Sequence, residues 1–275
     1  MNKKYGIVYT VFGKKAAEDC VQCIASVRRY CDYPIKILSD HLFDVDAINV
    51  AIEIVQPIDY EKRWGHRNSD YFRLIALRDS VWDVTLYIDN DYLVVNSAFL
   101  DGFEIAKNFG MVIPINTRVF LKTDLDIGKD VSEEDRKELI HAPVFAPSFD
   151  CAVVFYSNRS SKLLLDWIRC MEERPCRGPV ALWRAIWRTK EYPFGLPFNW
   201  RVTRKHVGVI DIPIILHVGD KEVKDFYQSH LPLYIWKIIW SLERFYERQD
   251  KRCKKYKGYL FWLIKKCTAM LSQHS

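Results

Sequence analysis

The sequence predicts an α/β fold with a mainly parallel central sheet flanked by helices. Apolar runs rich in β-branched and aromatic residues alternate with segments whose apolar residues recur at helical spacing. Strand, helix and strand in this order imply parallel strands joined by right-handed crossovers. One predicted strand, Val84–Ile88, ends directly before two carboxylates, Asp89 and Asp91. The carboxyl ends of parallel strands are the edge at which such sheets bind ligands.

The predicted elements follow one another closely along the chain. The strands are predicted at Tyr5–Val11, Ile35–Leu38, Ala51–Val55, Val84–Ile88, Met111–Ile113, Cys151–Tyr156 and Asp211–His217. The helices are predicted at Lys15–Tyr30, Asn68–Asp79, 99–107, Ser160–Glu172 and Val180–Arg188. Between them, Asn116–Ser148 is long, polar and charged, which is typical of a lid or substrate loop.

The composition predicts a folded globular protein. The chain has 275 residues, of which 49% are hydrophobic and 28% charged, enough for one large α/β domain. We expect one continuous domain over residues 1–226, because no repeat or low-complexity linker interrupts it. Met1–Lys4 leads into a strand pattern rather than an apolar segment, so no signal peptide is expected. No apolar stretch reaches the roughly 20 residues of a spanning helix, and we therefore expect no membrane-spanning segment.

Two of the cysteines, Cys20 and Cys23, have the CxxC spacing of zinc or redox sites. No second close pair completes a four-ligand zinc site. Both lie within a predicted helix, where cysteine acts as a small apolar core residue. Reduced thiols are the simpler interpretation.

The run Val84–Leu93, VTLYIDNDYL, is the most informative stretch. A buried strand that ends in Asp89-Asn90-Asp91 places hard oxygen ligands at the mouth of a sheet, where Mn²⁺ or Mg²⁺ bound to a diphosphate needs them. The alternative is an ordinary strand-to-turn junction, since Asp and Asn are common turn residues.

Four further segments accompany this run in a fixed order: Tyr71-Phe72-Arg73-Leu74 before it, then Ser148–Phe155, Phe194–Val202 and Leu216–Lys221. Together the five segments resemble the GT-A fold glycosyltransferases. They are most similar to the retaining group that includes bacterial lipopolysaccharide glycosyltransferases and glycogenin. In that group a helix of the YxRL type, a DxD motif, an NxGVxxF strand, an LPxxWN loop and an HxxGxxKPW segment recur in this order. The resemblance covers about residues 5–226.

The resemblance implies a nucleoside diphosphate sugar as donor, with UDP expected, and Mn²⁺ or Mg²⁺ as the cation. The metal ligands would be Asp89, Asp91 and His217. Residues near the diphosphate and the donor sugar would be Asp89, Asn90, Gly219, Lys221 and Arg73. The nucleotide base and ribose would lie near Thr10, Phe12, Gly13 and Asp40. The chemistry is consistent, because glycine permits close backbone approach and lysine supplies a charge to phosphate.

Several of these side chains also have purely structural interpretations. His217 can be a structural histidine at a strand end, and Arg73 can pair with Asp70 or Asp79 on the surface. Trp183 and Trp187 share a helix face and are expected in the core. The remaining pair, Asn199 and Trp200, either packs its loop or contacts the acceptor.

The chain departs from the family pattern at four places. Asp150 stands where the retaining group has Asn, Ala152 replaces a Gly, and Gly178-Pro179 replaces an acidic residue and Gln. Lys221-Glu222-Val223 replaces the KPW sequence. We hypothesise that Asp150 acts as a catalytic carboxylate, either as the base for the acceptor hydroxyl or as a stabiliser of oxocarbenium-like charge.

The C-terminal segment, residues 227–275, differs in charge from the rest of the chain. Residues 236–275 contain ten Lys or Arg and three acidic residues, a net +7, whereas the whole chain carries +6. Apolar residues at helical spacing and many Trp and Tyr rings favour amphipathic helices on an anionic membrane surface. The alternative is a pair of packed helices with a solvated face. Nucleic acid is not expected as a partner, because no recognised motif supports it.

The sequence therefore predicts a metal-dependent glycosyltransferase of GT-A fold, bound peripherally to the cytoplasmic face of a membrane. Its acceptor would be a hydroxyl of a glycan or glycolipid, such as a lipopolysaccharide or capsule precursor. Two alternatives stay open. One is a sugar-nucleotide nucleotidyltransferase, although no Gly-rich basic loop follows the first strand. The other is a relative that binds glycans or membranes without turnover.

Overall fold

The structure is a computed structural model, and it describes residues 4–58, 67–120, 147–174, 176, 178–203 and 213–217. Except for Thr203, these residues belong to one compact unit. The predictions for Gly219, Lys221 and the segment 227–275 lie outside the described residues, as does most of the predicted loop, at 121–146.

The described residues form ten strands and five α-helices. The strands are β1 (Tyr5–Val11), β2 (Ile35–Ser39), β3 (Val50–Ile54), β4 (Val84–Ile88), β5 (Tyr92–Val94), β6 (Met111–Phe120), β7 (Pro147–Phe149), β8 (Val153–Ser157), β9 (Phe194–Leu196) and β10 (Ile215–His217). The helices are α1 (Lys14–Arg28), α2 (Arg67–Arg78), α3 (Asp101–Phe109), α4 (Ser161–Glu173) and α5 (Gly178–Thr189). Short 3₁₀ turns cover Ser97–Leu100, Asn158–Ser160 and Phe198–Trp200.

The central sheet has eight strands in the order β3-β2-β1-β4-β8-β6-β7, with β9 beside β6. The first four strands are parallel, as the alternation of strand and helix predicts. In this parallel half, β1 lies between β2 and β4. The carboxyl ends of the three strands therefore meet at one edge of the sheet, where the predicted site residues follow them.

The second half of the sheet is antiparallel except at β9, which pairs with β6 in parallel. β8 pairs with both β4 and β6, and β7 pairs with β6 in the same sense. The strand predicted at Met111–Ile113 is longer than expected and runs to Phe120. Its extension forms because Ile115 and Asn116 pair with Phe149 and Ser148 across the intervening residues, a long-range contact that local patterning does not reveal.

A second, two-stranded sheet joins β5 to β10. The pairing is antiparallel and places His217 directly opposite Tyr92. The same strand β10 is held on its other side by Val202, whose carbonyl accepts the backbone N–H of His217 at 2.8 Å. This small sheet therefore carries His217 to the end of the acidic run, 126 residues away in sequence from Asp91.

Two apolar layers cover the faces of the central sheet. Residues of α2, α4 and α5 pack on one face, and residues of α1 and α3 pack on the other. Trp183 is buried in the first layer, as predicted for a core residue. Cys20 and Cys23 are buried in the second layer, where they act as small apolar side chains. Among the described helices, none has the length and apolar character needed to cross a bilayer.

Candidate functional site

The ends of β1 and β2 form one side of the candidate site. Asp40 follows β2, and its two carboxylate oxygens each accept the backbone N–H of Gly13 at 3.2 Å. The imidazole Nδ1 of His41 lies 2.5 Å from the same carboxylate. Burial alone would raise the pKa of Asp40, but the contacts with His41 and the Gly13 N–H outweigh it, and the pKa lies below its usual value. Asp40 is therefore held ionised beside the end of β1.

Thr10 and Phe12 precede this turn on β1, and the structure gives them different surroundings. Thr10 is buried, and its hydroxyl lies 3.0 Å from the hydroxyl of Tyr87 and 3.1 Å from that of Ser69. The ring of Phe12 packs against that of Phe72 with centroids 5.4 Å apart. The hydroxyl of Thr10 is thus held inside the site by Tyr87 and Ser69, while Phe12 lies at the rim of the site.

Asp91 and His217 are in direct contact. The Nε2 atom of His217 lies 2.9 Å from Oδ2 of Asp91, and both side chains are partly exposed. Two cis ligands about 2.1 Å from an octahedral cation lie about 3.0 Å apart. The contact is a hydrogen bond at an ordinary length, and the same spacing is also compatible with two ligands of one cation.

Asp89 faces the interior of the site instead. Its Oδ1 accepts a hydrogen bond from the Tyr87 hydroxyl and lies 3.9 Å from Nη1 of Arg73. Burial raises the pKa of the Asp89 carboxyl, Arg73 opposes this effect and Asp91 adds to it, so that the pKa reaches about 7. Burial and the neighbouring charge of Asp91 together outweigh the effect of Arg73, and Asp89 is therefore easily protonated.

Arg73 is a buried cation, with 3% of its side chain exposed. Its Nη1 donates to the carbonyl of Cys151 and its Nη2 to Oδ1 of Asp70. Burial alone would lower its pKa, but Asp70, Tyr87 and Asp89 raise it, so the guanidinium stays charged. The surface pairing of Arg73 considered from the sequence is wrong in one respect: Asp70 is its partner, but Arg73 itself is buried, while 22% of the Asp70 side chain is exposed.

The start of α5 packs against this pair. The backbone N–H of Gly178 donates to Oδ2 of Asp70 at 3.3 Å. A Cβ at position 178 would lie 2.9 Å from Nη2 of Arg73 and 3.0 Å from Oδ1 of Asp70. The departure from the family pattern at this position therefore has a steric reason, because the ion pair occupies the space that a side chain would take.

Asn90 turns toward helix α1. Its side-chain amide donates to the carbonyl of Ala16 at 3.3 Å, and its own carbonyl accepts from the Cys23 thiol at 2.7 Å. These contacts fix the turn between β4 and β5, and hence the directions in which Asp89 and Asp91 point.

Asp150 forms an ion pair with Arg201. Nη2 of Arg201 lies 2.8 Å from Oδ2 of Asp150, and Oδ1 of Asp150 accepts the backbone N–H of Ala152 at 3.1 Å. The Nε of Arg201 donates to the hydroxyl of Tyr92 at 3.1 Å. Both carboxylate oxygens of Asp150 are thus engaged by the protein.

Asp91 and His217 are the described side chains that can share a cation. Within the described ranges, no group of three or more His, Cys, Asp or Glu side chains is placed to hold an ion together. Asp91 and His217 fit as two ligands, whereas Asp89 points its Oδ1 toward Tyr87 and Arg73. One carboxylate and one imidazole suit Mn²⁺, and they leave coordination positions for phosphate oxygens and water.

Sequence reasoning missed the side chains that support these residues. In the sequence, strand or loop motifs contain Tyr87, Tyr92 and Arg201, and nothing else distinguishes Arg201. Tyr87 and Tyr92 flank Asp89–Asp91, and this position of two hydroxyl-bearing side chains is the sequence signal for their supporting role. For the loop, Trp200 is buried against Phe155, with the rings edge-on at 5.8 Å, which favours packing over acceptor contact.

Comparisons with known proteins agree with this architecture. No protein-family model and no curated protein matches the chain. Among solved structures, it is similar to the apo structure of WbbM, a bifunctional glycosyltransferase, with 14% identity and a TM-score of 0.55 over 79% of this chain and 46% of that one. It is also similar to the galactosyltransferase LgtC in complex with donor and acceptor sugar analogs, with 13% identity and a TM-score of 0.55 over 77% of this chain and 86% of that one.

A third similar structure is an active-site mutant of LgtC, with 12% identity and a TM-score of 0.58 over 82% of this chain and 97% of that one. The chain has the fold of these glycosyltransferases. The predicted GT-A fold class is therefore confirmed. The chain spans less than half of WbbM but most of LgtC.

Proposed function

We propose that this protein is a nucleotide-sugar glycosyltransferase that transfers a sugar from UDP to an acceptor hydroxyl of a glycan or glycolipid, in the presence of Mn²⁺ or Mg²⁺. The observation that carries the proposal is the contact between Asp91 and His217 at the ligand-binding edge of a GT-A fold. Asp91 and His217 would hold the cation. Such a cation, when bound, stabilises the departing nucleoside diphosphate.

The residues around this pair have separate tasks. Gly13 and Asp40, at the ends of β1 and β2, bind the nucleoside: the fixed carboxylate accepts ribose hydroxyls, and the glycine allows close approach. By the resemblance, Gly219 and Lys221 would serve the phosphates, the glycine by close backbone approach and the lysine by its charge. Arg73 lowers the pKa of Asp89 and so offsets part of the effect of burial and of the neighbouring charge of Asp91.

The direct test is the metal-dependent release of UDP from a panel of UDP-sugars without acceptor. A transferase of this kind hydrolyses one donor slowly with Mn²⁺ and not with EDTA. Formation of nucleotide sugar from a nucleoside triphosphate and a sugar 1-phosphate would instead identify a nucleotidyltransferase. Tight UDP-sugar binding without hydrolysis or transfer would identify a non-catalytic relative. Asp91→Asn is the variant to compare with the wild-type protein in this assay, because it removes the charge of one ligand and keeps the size of the side chain.

We also propose that residues 227–275 bind the protein peripherally to the cytoplasmic face of a membrane. The net charge of +7 over residues 236–275 and the interspersed Trp and Tyr support this. Each basic residue near an anionic surface contributes about 1 kcal/mol. The full chain should pellet with vesicles containing anionic lipid and stay in solution with neutral ones. A variant with Lys251, Arg252, Lys254, Lys255 and Lys257 all changed to Gln is the matched control, and equal pelleting of both proteins would refute the proposal.

A further inference from the structure

The ion pair of Asp150 and Arg201 lies beside the candidate cation site without belonging to its donor set. Its two partners come from different parts of the fold: Asp150 follows β7, and Arg201 follows the 3₁₀ turn Phe198–Trp200. The two side chains are 15% and 19% exposed, so the pair is shielded from water. An ion pair this deep restricts side-chain position more than it stabilises the fold, because desolvation offsets much of its Coulomb attraction.

Arg201 is connected to His217 in two ways, through the side chain of Tyr92 and through the backbone. Its Nε donates to the Tyr92 hydroxyl at 3.1 Å. Tyr92 is 2% exposed, and its ring packs against the imidazole of His217 with centroids 4.9 Å apart. Tyr92 and His217 are also direct cross-strand partners in the small sheet. The residue after Arg201, Val202, accepts the backbone N–H of His217. Arg201 therefore meets both the ring that supports His217 and the backbone beside it.

We infer that Arg201 is a positioning residue for the metal site: anchored by Asp150, it holds the Tyr92 ring against His217 and keeps the imidazole directed at Asp91. The inference rests on the proposed function for the role of His217 as a ligand. It assigns Asp150 an anchoring role in place of the catalytic one, because one carboxylate oxygen is paired with Arg201 and the other accepts the Ala152 N–H.

A fixed partner outside the donor set has a measurable effect on cation affinity. Loss of such outer-shell partners costs about 10–100-fold in metal affinity. The variants Arg201→Met and Tyr92→Phe should each weaken Mn²⁺ binding within this range, measured by calorimetry or electron paramagnetic resonance on the full chain. Tyr92→Phe removes only the hydroxyl that Arg201 binds. The matched control is Arg188→Met, which removes the ion pair between Arg188 and Glu173 at 2.8 Å. This variant should leave Mn²⁺ affinity unchanged.

The double variant Asp150→Asn with Arg201→Gln separates positioning from mere charge pairing. Because it leaves no unpaired buried charge, it should recover the thermal stability that Arg201→Met loses. It should not recover Mn²⁺ affinity, since the shorter amide lacks the guanidinium fork that spans Asp150 and Tyr92. Recovery of both properties together would overturn the inference, as would unchanged affinity in Arg201→Met and Tyr92→Phe.

A readout without metal keeps this test independent of the proposed function. In the metal-free protein, the imidazole signals of His217 in selectively labelled samples should shift in Arg201→Met, in Tyr92→Phe and in the double variant, and not in Arg188→Met. Those signals are assigned by their loss in His217→Gln. If the wild type binds no Mn²⁺ but these signals shift, the positioning of His217 stands and the metal role fails. If the signals do not move in Arg201→Met or Tyr92→Phe, the positioning itself is refuted.

Discussion

Oδ2 of Asp91 lies 2.9 Å from Nε2 of His217, across 126 residues of sequence. The contact depends on two independent features of the fold. The turn after β4 directs Asp91 outward, and the pairing of β5 with β10 delivers His217 to the same place. Such convergence of a carboxylate and an imidazole at the ligand-binding edge of the sheet is the main structural argument for a cation site.

Replacing either partner should remove Mn²⁺ binding. In Asp91→Asn and His217→Ala, the loss of affinity should exceed the about 10–100-fold that loss of an outer-shell partner costs. His41→Ala is a suitable control for Mn²⁺ binding measured without nucleotide, because His41 also pairs with an aspartate, Asp40, at 2.5 Å. A wild-type affinity in either ligand variant would exclude this pair as the cation site.

The raised pKa of Asp89, about 7, makes the metal-free protein sensitive to pH. In the unfolded chain this carboxyl has its ordinary, lower pKa, so between roughly pH 4 and 7 the folded state binds more protons than the unfolded state. The free energy of unfolding contributed by Asp89 therefore falls as pH rises through this interval. Asp89→Asn should lack this decrease, measured by urea unfolding in EDTA at several pH values. Parallel pH profiles for both proteins would show that the carboxyl is not perturbed.

Arg73 should matter first for stability. Arg73→Met removes the guanidinium that donates to Oδ1 of Asp70 and to the Cys151 carbonyl, at a cost of about 3 kcal/mol in the free energy of unfolding. The control is Arg169→Met, because Arg169 pairs with Asp166 at 2.9 Å while 65% of its side chain is exposed. That variant should lose about 1 kcal/mol at most. Equal losses in denaturant unfolding would contradict the burial argument.

Gly178→Ala tests the packing of α5 on the Arg73 pair. The new Cβ would lie 2.9 Å from Nη2 of Arg73, so the ion pair must loosen, at a cost of about 1 kcal/mol. In an Asp70→Ala background Oδ1 of Asp70 is absent and Arg73 is released from the pair, so that its Nη2 can move away and the same substitution should cost less. A double-mutant cycle in unfolding free energy measures this coupling. Additive effects of the two substitutions would show that Gly178 is not needed for the pair.

Local pattern was enough to predict the parallel half of the sheet. β1, β2 and β4 are short apolar runs whose residues favour strands, and β2 and β4 are each followed by an aspartate at the carboxyl end. The antiparallel half was harder to predict, because β8 is inserted between β4 and β6 and its neighbours are far apart in sequence. The extension of β6 to Phe120 was hard to predict for the same reason, because it pairs with β7, which is also distant in sequence.

The candidate site shows a similar division. Asp89, Asp91 and His217 were found because their residue types and order resemble a known family. The supporting contacts were not found, because they depend on side chains that meet only in the folded state. Arg201 is the clearest case: in the sequence it is one basic residue in an aromatic loop, and only the fold brings it to Asp150 and Tyr92.

The measurement that tests the cation site most directly is a crystal structure of the full chain with Mn²⁺ and UDP, with Mn²⁺ located by its anomalous scattering. We expect one Mn²⁺ bound to Oδ2 of Asp91 and Nε2 of His217 at about 2.1 Å, with oxygens of the UDP diphosphate completing its coordination. A cation bound elsewhere, or UDP bound at this edge with no cation between these two side chains, would contradict the account.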